Sequence, residues 1–375
     1  MQRIRAVLIV VLFILVFAEA MSAQTITLFP EHIVLALPKQ SGQTFTVSYT
    51  TNPMKVLIDS NFPIAHLLPS ESFGDVALRE MRYSQGPKGS RVVLDFNYPI
   101  PQGVITEGES FFQLDIPKTF VNTTRRMVEF GVVYGHQRRA DSFGPNVVNY
   151  LEIDLWYGYE VKLALAQNRL FGSEQVSSIA KRTGAIAAVN GAFFASTGRP
   201  LGVFMIDGEL ISEPYADRTA LGLGPKLAVM DRVSFRGEIV LNDGSLLTTL
   251  QGVNRPRLQD ELIIYTQHHG TKTNTNSFGR EVVVVNGTVT QIQPGNSTIP
   301  PDGFVLSAHG VQTERLGQLA VGDGLEVNIT LNSAWDGLGV NQIIGGGPRL
   351  VRDGRLEITG EEELFRADIL AGRAP

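Results

Sequence analysis

Cysteine is absent from the 375 residues. That excludes disulfides, thiol nucleophiles, iron–sulfur clusters and every cysteine-bearing zinc site. A basic excess is missing too, since 37 Asp and Glu against 32 Lys and Arg leave a net charge of −5. A nucleic-acid binder presents a basic face to the phosphates, so nucleic acid is not expected as a partner. Beyond the N-terminus there is no apolar run of the ~20 residues that a spanning helix needs, so no later transmembrane segment is expected. Tryptophan is scarce, with Trp156 and Trp335 far apart in sequence, which argues against an aromatic stripe for polysaccharide.

What is present reads as a β-rich secreted protein. A hydrophobic fraction of 43% supports a large core, and 38 Gly with 19 Pro favour many short strands over long helices. The basic Arg3 and Arg5, the apolar run from Ala6 to Phe17 and the small residues Ala18, Ala20 and Ala23 make 1–23 a secretory signal. The protein is then expected outside the cytoplasm, secreted or in a bacterial cell envelope, where a large core replaces disulfide staples.

Between 24 and 125 the pattern alternates, as in Phe45–Tyr49 and Arg91–Phe96, with a turn at Gln85–Gly89. This predicts a β-rich accessory module, and its isolated His32 and His66 read as structural residues. From 126 onward a second domain is expected. In it Ser173 would cap a helix that carries Val176, Ile179 and Ala180 on one face and ends at Gly184. The apolar Ala185–Val189 would follow as a strand, delivering Asn190-Gly191 to a strand end, where open sheets place their sites. Strands dominate again over about 231–339, for example Glu261–Tyr265, Glu281–Val285 and Leu325–Ile329, and this stretch reads as a β-rich insertion.

Four groups of residues are candidates for chemistry. Asn190 offers both an amide donor and a carbonyl acceptor, Gly191 permits close backbone approach, and Phe193 and Phe194 can anchor the turn; the alternative is a buried turn in which Asn190 bonds its own backbone. Arg218 can grip two oxygens of a phosphodiester, or form a salt bridge to Asp217 or Glu213. Gly345, Gly346 and Gly347 can aim backbone N–H groups at an anion, or simply make a tight strand turn. His309 can serve as a general acid near neutral pH or bond nearby backbone. No histidine spacing points to a metal and no Gly-x-Ser-x-Gly elbow is present, which disfavours a serine hydrolase.

Several motifs in order resemble the phosphodiester glycosidase family, the bacterial relatives of the mannose 6-phosphate uncovering enzyme. They are Ala188–Phe194, Gly198-Arg199-Pro200-Leu201-Gly202, Asp207-Gly208, Arg218-Thr219-Ala220-Leu221-Gly222 and Gly345–Leu350. The resemblance implies a phosphodiester glycosidase-like domain over 126–375 in a β-dominated α+β protein. It further implies hydrolysis of a sugar-1-phosphodiester, of the N-acetylglucosamine type, in envelope or exopolysaccharide metabolism. Arg218, Asn190 and His309 would then be catalytic, and Gly191, Phe193, Phe194, Thr219 and Gly345–Gly347 would line the substrate site. No cofactor is implied, and the need for a divalent metal stays open. Family members ordinarily continue into a second Arg-Thr-Ala segment and an Asp-Gly-Gly-Gly-Ser motif, so the resemblance also implies that the C-terminal part is missing and the chain is a fragment. A non-catalytic protein binding polysaccharide or cell wall is the alternative.

Overall fold

The structure is a computed structural model that describes residues 25–64, 70–331, 335 and 337–367. The expected signal segment 1–23, His66 and the C-terminal Arg373-Ala374-Pro375 lie outside the described residues. The protein is β-dominated, as its turn-rich composition predicts, with many antiparallel sheets and few helices. It divides into two compact units, 1–153 and 154–375.

The first unit opens with β1 (Thr25–Leu28), β2 (His32–Pro38), β3 (Phe45–Thr51), β4 (Met54–Ser60) and β5 (Ser70–Ser72). It continues with β6 (Leu78–Gly86), β7 (Gly89–Phe96), β8 (Val104–Glu107) and β9 (Phe111–Pro117). One sheet has the order β1-β2-β9-β8 and the other β3-β4-β7-β6-β5. Strict alternation, as in Met54-Lys55-Val56-Leu57-Ile58, buries every second side chain. The two inner faces share one apolar cluster that includes Ile33, Leu35, Val56, Ile58, Leu94 and Leu114, and Phe45 stacks on Phe112 at 4.4 Å. His32 sits edge-on to Phe29 at 4.5 Å, in keeping with a structural role. Three ten-residue strands follow as a meander: β10 (Phe120–Glu129), β11 (Val132–Asp141) and β12 (Gly144–Ile153). The outer strands β10 and β12 are largely exposed, while most of the middle strand β11 is half-buried or buried.

In the second unit Asp154 caps a short turn, its carboxylate accepting the Trp156 N–H at 3.0 Å. Helix α1 spans Val176–Thr183 and ends, as read from the sequence, at Gly184 in the left-handed conformation (φ 69°). Its start differs from expectation. The N-cap is Gln175, without a side-chain bond, and Glu174 instead accepts the Gln167 N–H at 2.7 Å and pairs with Arg182 at 2.9 Å. The expected strand Ala185–Val189 does not form either. It is non-regular and mostly exposed, with Val189 at 71%, because among the described residues no strand offers its backbone a ladder of hydrogen bonds.

After it come β13 (Phe193–Phe194), β14 (Pro200–Leu201), β15 (Phe204–Ile206), β16 (Glu209–Ser212), β17 (Thr219–Gly224) and β18 (Leu227–Arg232). Next are β19 (Arg236–Leu241), β20 (Leu246–Leu250), β21 (Gly252–Val253), β22 (Leu262–Tyr265), β23 (Gly279–Val285) and β24 (Thr288–Gln293). The series continues with β25 (Gly303–His309), helix α2 (Gln312–Leu316), β26 (Leu325–Thr330) and β27 (Gln342–Gly345). The motif-bearing sheet has the order β16-β15-β27-β17-β18, and a second five-stranded sheet the order β21-β22-β25-β23-β24. A single apolar cluster links both sheets, from Val203 and Ala220 to Val282 and Leu306. The β23–β24 hairpin turns at Asn286 (φ 48°) and Gly287 (φ 76°), the paired positive φ angles that make Asn-Gly a hairpin signal.

Candidate functional site

The site is assembled where β27 ends. Ile344 pairs with Phe204 on one side and Leu221 on the other. The chain then leaves the sheet through the glycines. The Gly345 N–H donates to Val203 O at 2.7 Å and the Gly346 N–H to Thr219 O at 3.0 Å. Two of the three glycine amides are therefore bonded within the sheet, as in the tight-turn reading. Gly347 has φ 84°, and a Cβ there would stand 2.3 Å from Glu363 Oε2, so only glycine fits.

Glu363 organises this corner, and sequence reading missed it. Its carboxylate, fully buried, accepts the Thr219 N–H at 2.8 Å, the Thr219 hydroxyl at 2.7 Å and the Arg349 N–H at 3.0 Å. The Thr359 hydroxyl donates to it as well. Burial opposes the charge, but the donors from Thr359, Thr219 and Arg349 outweigh it and hold the acid below the ordinary glutamate range. In sequence Glu361-Glu362-Glu363 looks like a solvated charge run. The available signal was Thr359 four residues before Glu363, with Leu364-Phe365 directly after. Thr219 is buried and held by this carboxylate, which commits its hydroxyl to Glu363.

Arg218 stands next to it. Its Nε donates to Glu363 O at 2.9 Å and its Nη2 to Leu364 O at 3.0 Å. The guanidinium lies over Phe365 at 3.9 Å and faces Tyr215 at 4.9 Å. Neither of its expected salt bridges forms, for Glu213 is taken by Arg255 at 2.5 Å, and Arg218 has no ion pair among the described residues. Nη1 makes no hydrogen bond among the described residues, and Arg218 lines a small cleft together with Tyr215, Pro214, Gly202, Gly345 and Gly346. The backbone leading in is strained: Ala216 (φ 54°) and Asp217 (φ 46°) are consecutive left-handed residues without being glycine. Leu364 (φ 53°) and Ala192 (φ 56°) repeat the pattern. Such outliers cost ~1–3 kcal/mol each and cluster at functional sites.

The Asn190 segment meets the same corner. A Cβ on Gly191 would lie 2.8 Å from Ile344 Cδ1, so the turn passes close over β27. The Phe193 ring lies 5.9 Å from Phe365, while Phe194 is 66% exposed. Asn190 is exposed and its side chain makes no hydrogen bond among the described residues, unlike the buried turn that was its alternative. The β13–β14 hairpin that follows folds back at Gly198 (φ 86°), where a Cβ would collide with Gly172 O at 1.8 Å. Gly198→Ala is therefore expected to destabilise the protein by more than ~1 kcal/mol, read as a lowered denaturant midpoint; an unchanged midpoint would show that the hairpin is not needed for folding.

His309 is not brought to this corner. It ends β25 in the other sheet, opposite Gly279, its N–H donating to Glu261 O at 2.9 Å and its buried Nδ1 without a partner. Nearer to the motifs, His268 Nε2 pairs with Glu209 at 3.0 Å, and that hydrogen bond holds Glu209 below the usual glutamate range despite burial. His269, packed edge-on against Tyr265 at 4.6 Å and Phe171 at 5.4 Å, is pushed below the ordinary histidine range by burial and by the Arg199 charge. Among the described residues no group of three or more His, Asp and Glu is arranged to hold a metal ion.

Comparison with known proteins bears on this corner directly. Residues 279–375 match the phosphodiester glycosidase family. The resemblance read from the motifs is borne out there, and the matched stretch contains Gly345–Gly347, Glu363, Phe365 and His309; Asn190 and Arg218 lie before it. In fold, the chain is similar to the crystal structure of a hypothetical protein from Synechocystis (TM-score 0.61, 20% identity). That likeness covers 94% of this chain but 65% of the other, so the chain spans less than two thirds of that protein's length. A putative exported protein from Burkholderia pseudomallei is similar at a TM-score of 0.48 and 20% identity, over 85% of this chain and 75% of that one. No curated protein matches the chain.

Proposed function

We propose that the second unit hydrolyses a sugar-1-phosphodiester, of the N-acetylglucosamine type, outside the cytoplasm in envelope or exopolysaccharide metabolism. The family match supports phosphodiester glycosidase-like activity and a sugar-phosphate substrate. The observation that carries the residue-level reading is Arg218, fixed on one edge by the carbonyls of Glu363 and Leu364, with Nη1 unbonded among the described residues and the residue lining the cleft.

A guanidinium held this way needs no reorganisation when charge grows on a departing phosphate, which is where preorganised donors lower a barrier most. The departing group is a phosphate monoester whose negative charge is delocalised over its oxygens, so cleavage of the sugar–oxygen bond relies less on an acid than loss of an alkoxide would. Asn190, exposed and unbonded, can give and accept hydrogen bonds to sugar hydroxyls at the rim. Phe193 and Phe365 supply an apolar wall beside it.

The test uses the methyl phosphodiester of N-acetylglucosamine 1-phosphate. Free sugar together with methyl phosphate is the expected product pair. Release of N-acetylglucosamine 1-phosphate and methanol would mean phosphate-side cleavage and overturn the glycosidase reading, and no turnover would favour a binding protein.

A further inference from the structure

The meander β10–β12 has two faces of different electrostatic character. Register places Val121, Thr123, Arg125 and Met127 of β10 on one face with Gln137, Arg139 and Asp141 of β11 and Tyr150 and Glu152 of β12. The charges of that face are matched within it: Arg125 pairs with Glu152, and Arg139 lies 3.5 Å from Asp141. Its centre is closed by the Tyr150 ring, which covers Gly135 so tightly that a Cβ there would fall 2.0 Å from a ring carbon.

The opposite face carries Asn122, Thr124 and Arg126 of β10, Tyr134, His136 and Arg138 of β11, and Val147, Asn149 and Leu151 of β12. Arg126 and Arg138 are both exposed, and neither guanidinium has a hydrogen bond or ion pair among the described residues. Glu129, at the tip of the hairpin, is the acid on this face, and its Oε1 accepts the Phe130 N–H at 3.2 Å. Arg126 is in register with Tyr134, four residues along β11 from Arg138, so the two cations stand roughly 14 Å apart along the strand direction. Between them Asn149 Oδ1 accepts the Tyr134 hydroxyl at 2.7 Å and contacts His136 Nδ1 at 2.9 Å, which holds both rings in place.

We infer that this face is a docking strip for a linear anionic glycan carrying phosphodiester groups, with Arg126 and Arg138 each gripping an anionic group and Tyr134 lying under the sugar between them. Charge complementarity selects the partner. Two unneutralised guanidinium forks on one flat, exposed surface suit anionic oxygens, and an ordered aromatic ring offers a sugar a rigid apolar plane. The choice of phosphodiester over another anion rests on the proposed function; the polyanion strip itself rests on the register and the pairing of charges alone.

The whole chain is tested for binding to poly(ribosylribitol phosphate), a linear glycan whose phosphodiesters are not on the sugar's anomeric carbon, with dextran, polygalacturonate and phosphatidylglycerol vesicles in parallel. Binding to this phosphodiester glycan that weakens as salt rises is expected, with none to dextran or vesicles. Arg126→Ser/Arg138→Ser should weaken it at least about fivefold, since each lost charged hydrogen bond matters on this scale. Arg125→Ser/Arg139→Ser, on the opposite face, should leave it unchanged. Absence of binding, equal loss in the two double variants, or preference for vesicles overturns the inference. Equal binding of polygalacturonate overturns its phosphodiester specificity. Hydrolysis of the methyl phosphodiester is measured separately on the same proteins. A chain that cleaves it but does not hold the polymer removes the strip alone, and one that holds the polymer without cleaving removes the enzymatic reading alone.

Discussion

Glu363→Ala is expected to destabilise the protein by ~3 kcal/mol or more. The substitution strips a buried acceptor from two backbone N–H groups and two hydroxyls, those of Thr219, Arg349 and Thr359. A buried donor left unsatisfied costs about 1–3 kcal/mol, and here four donors lose the one carboxylate they share. Glu363→Gln keeps the shape and part of the acceptance and should fall between. A pH dependence follows with a definite sign. The folded-state acid is depressed below the ordinary glutamate value of 4.5, so its stabilising contribution is full above that pH and is lost as pH falls through the lower folded value. Denaturant unfolding of wild type and Glu363→Gln at neutral pH and in this acid range gives the answer. Wild type should lose stability on acidification more steeply than the variant, and parallel curves would mean the carboxylate charge does not matter.

Arg218→Ala should lower turnover of the sugar phosphodiester by about 10²–10³ or more, the scale on which removal of one preorganised donor is felt. Arg218 also holds the carbonyls of Glu363 and Leu364 and the face of Phe365, so stability must be read beside rate. Arg218→Lys separates the two roles. It keeps the charge but cannot donate from a planar fork to two carbonyls while offering a further N–H to phosphate. A Lys variant that folds but turns over slowly supports the clamp; an Ala variant with undiminished turnover removes Arg218 from the chemistry.

Much of the strand pattern was legible because two-residue periodicity and turn chemistry are local. Arg91–Phe96 and Glu281–Val285 lie within observed strands, and Asn286-Gly287 turns a hairpin as its residue types require. Gly184 ended its helix for the same local reason. Ala185–Val189 misled because an apolar run, three of its five residues alanine, says nothing about whether a partner strand exists. At the site, the family resemblance named Asn190, Arg218 and the glycines as parts of one site, whereas nothing in the sequence reading named Glu363. Its importance comes from four donors brought from Thr219, Arg349 and Thr359, a meeting that only tertiary structure reveals. His309 shows the reverse error, a residue of suitable chemistry at a strand end that belongs to another sheet.

The place of β27 in the motif sheet has a kinetic consequence. The strand lies in the middle, between β15 and β17, yet it is separated from both by more than a hundred residues of chain. Before Gln342–Gly345 emerges from the ribosome, the facing edges of β15 and β17 have no partner strand to complete their ladders. Closing so long a loop is a slow step, and open edges left waiting are prone to pair with other chains. The first unit carries its own core and can condense early, while the candidate site forms only after β27 and Glu363 have been made. A nascent chain stalled before β27 would thus be a natural client for a holding chaperone.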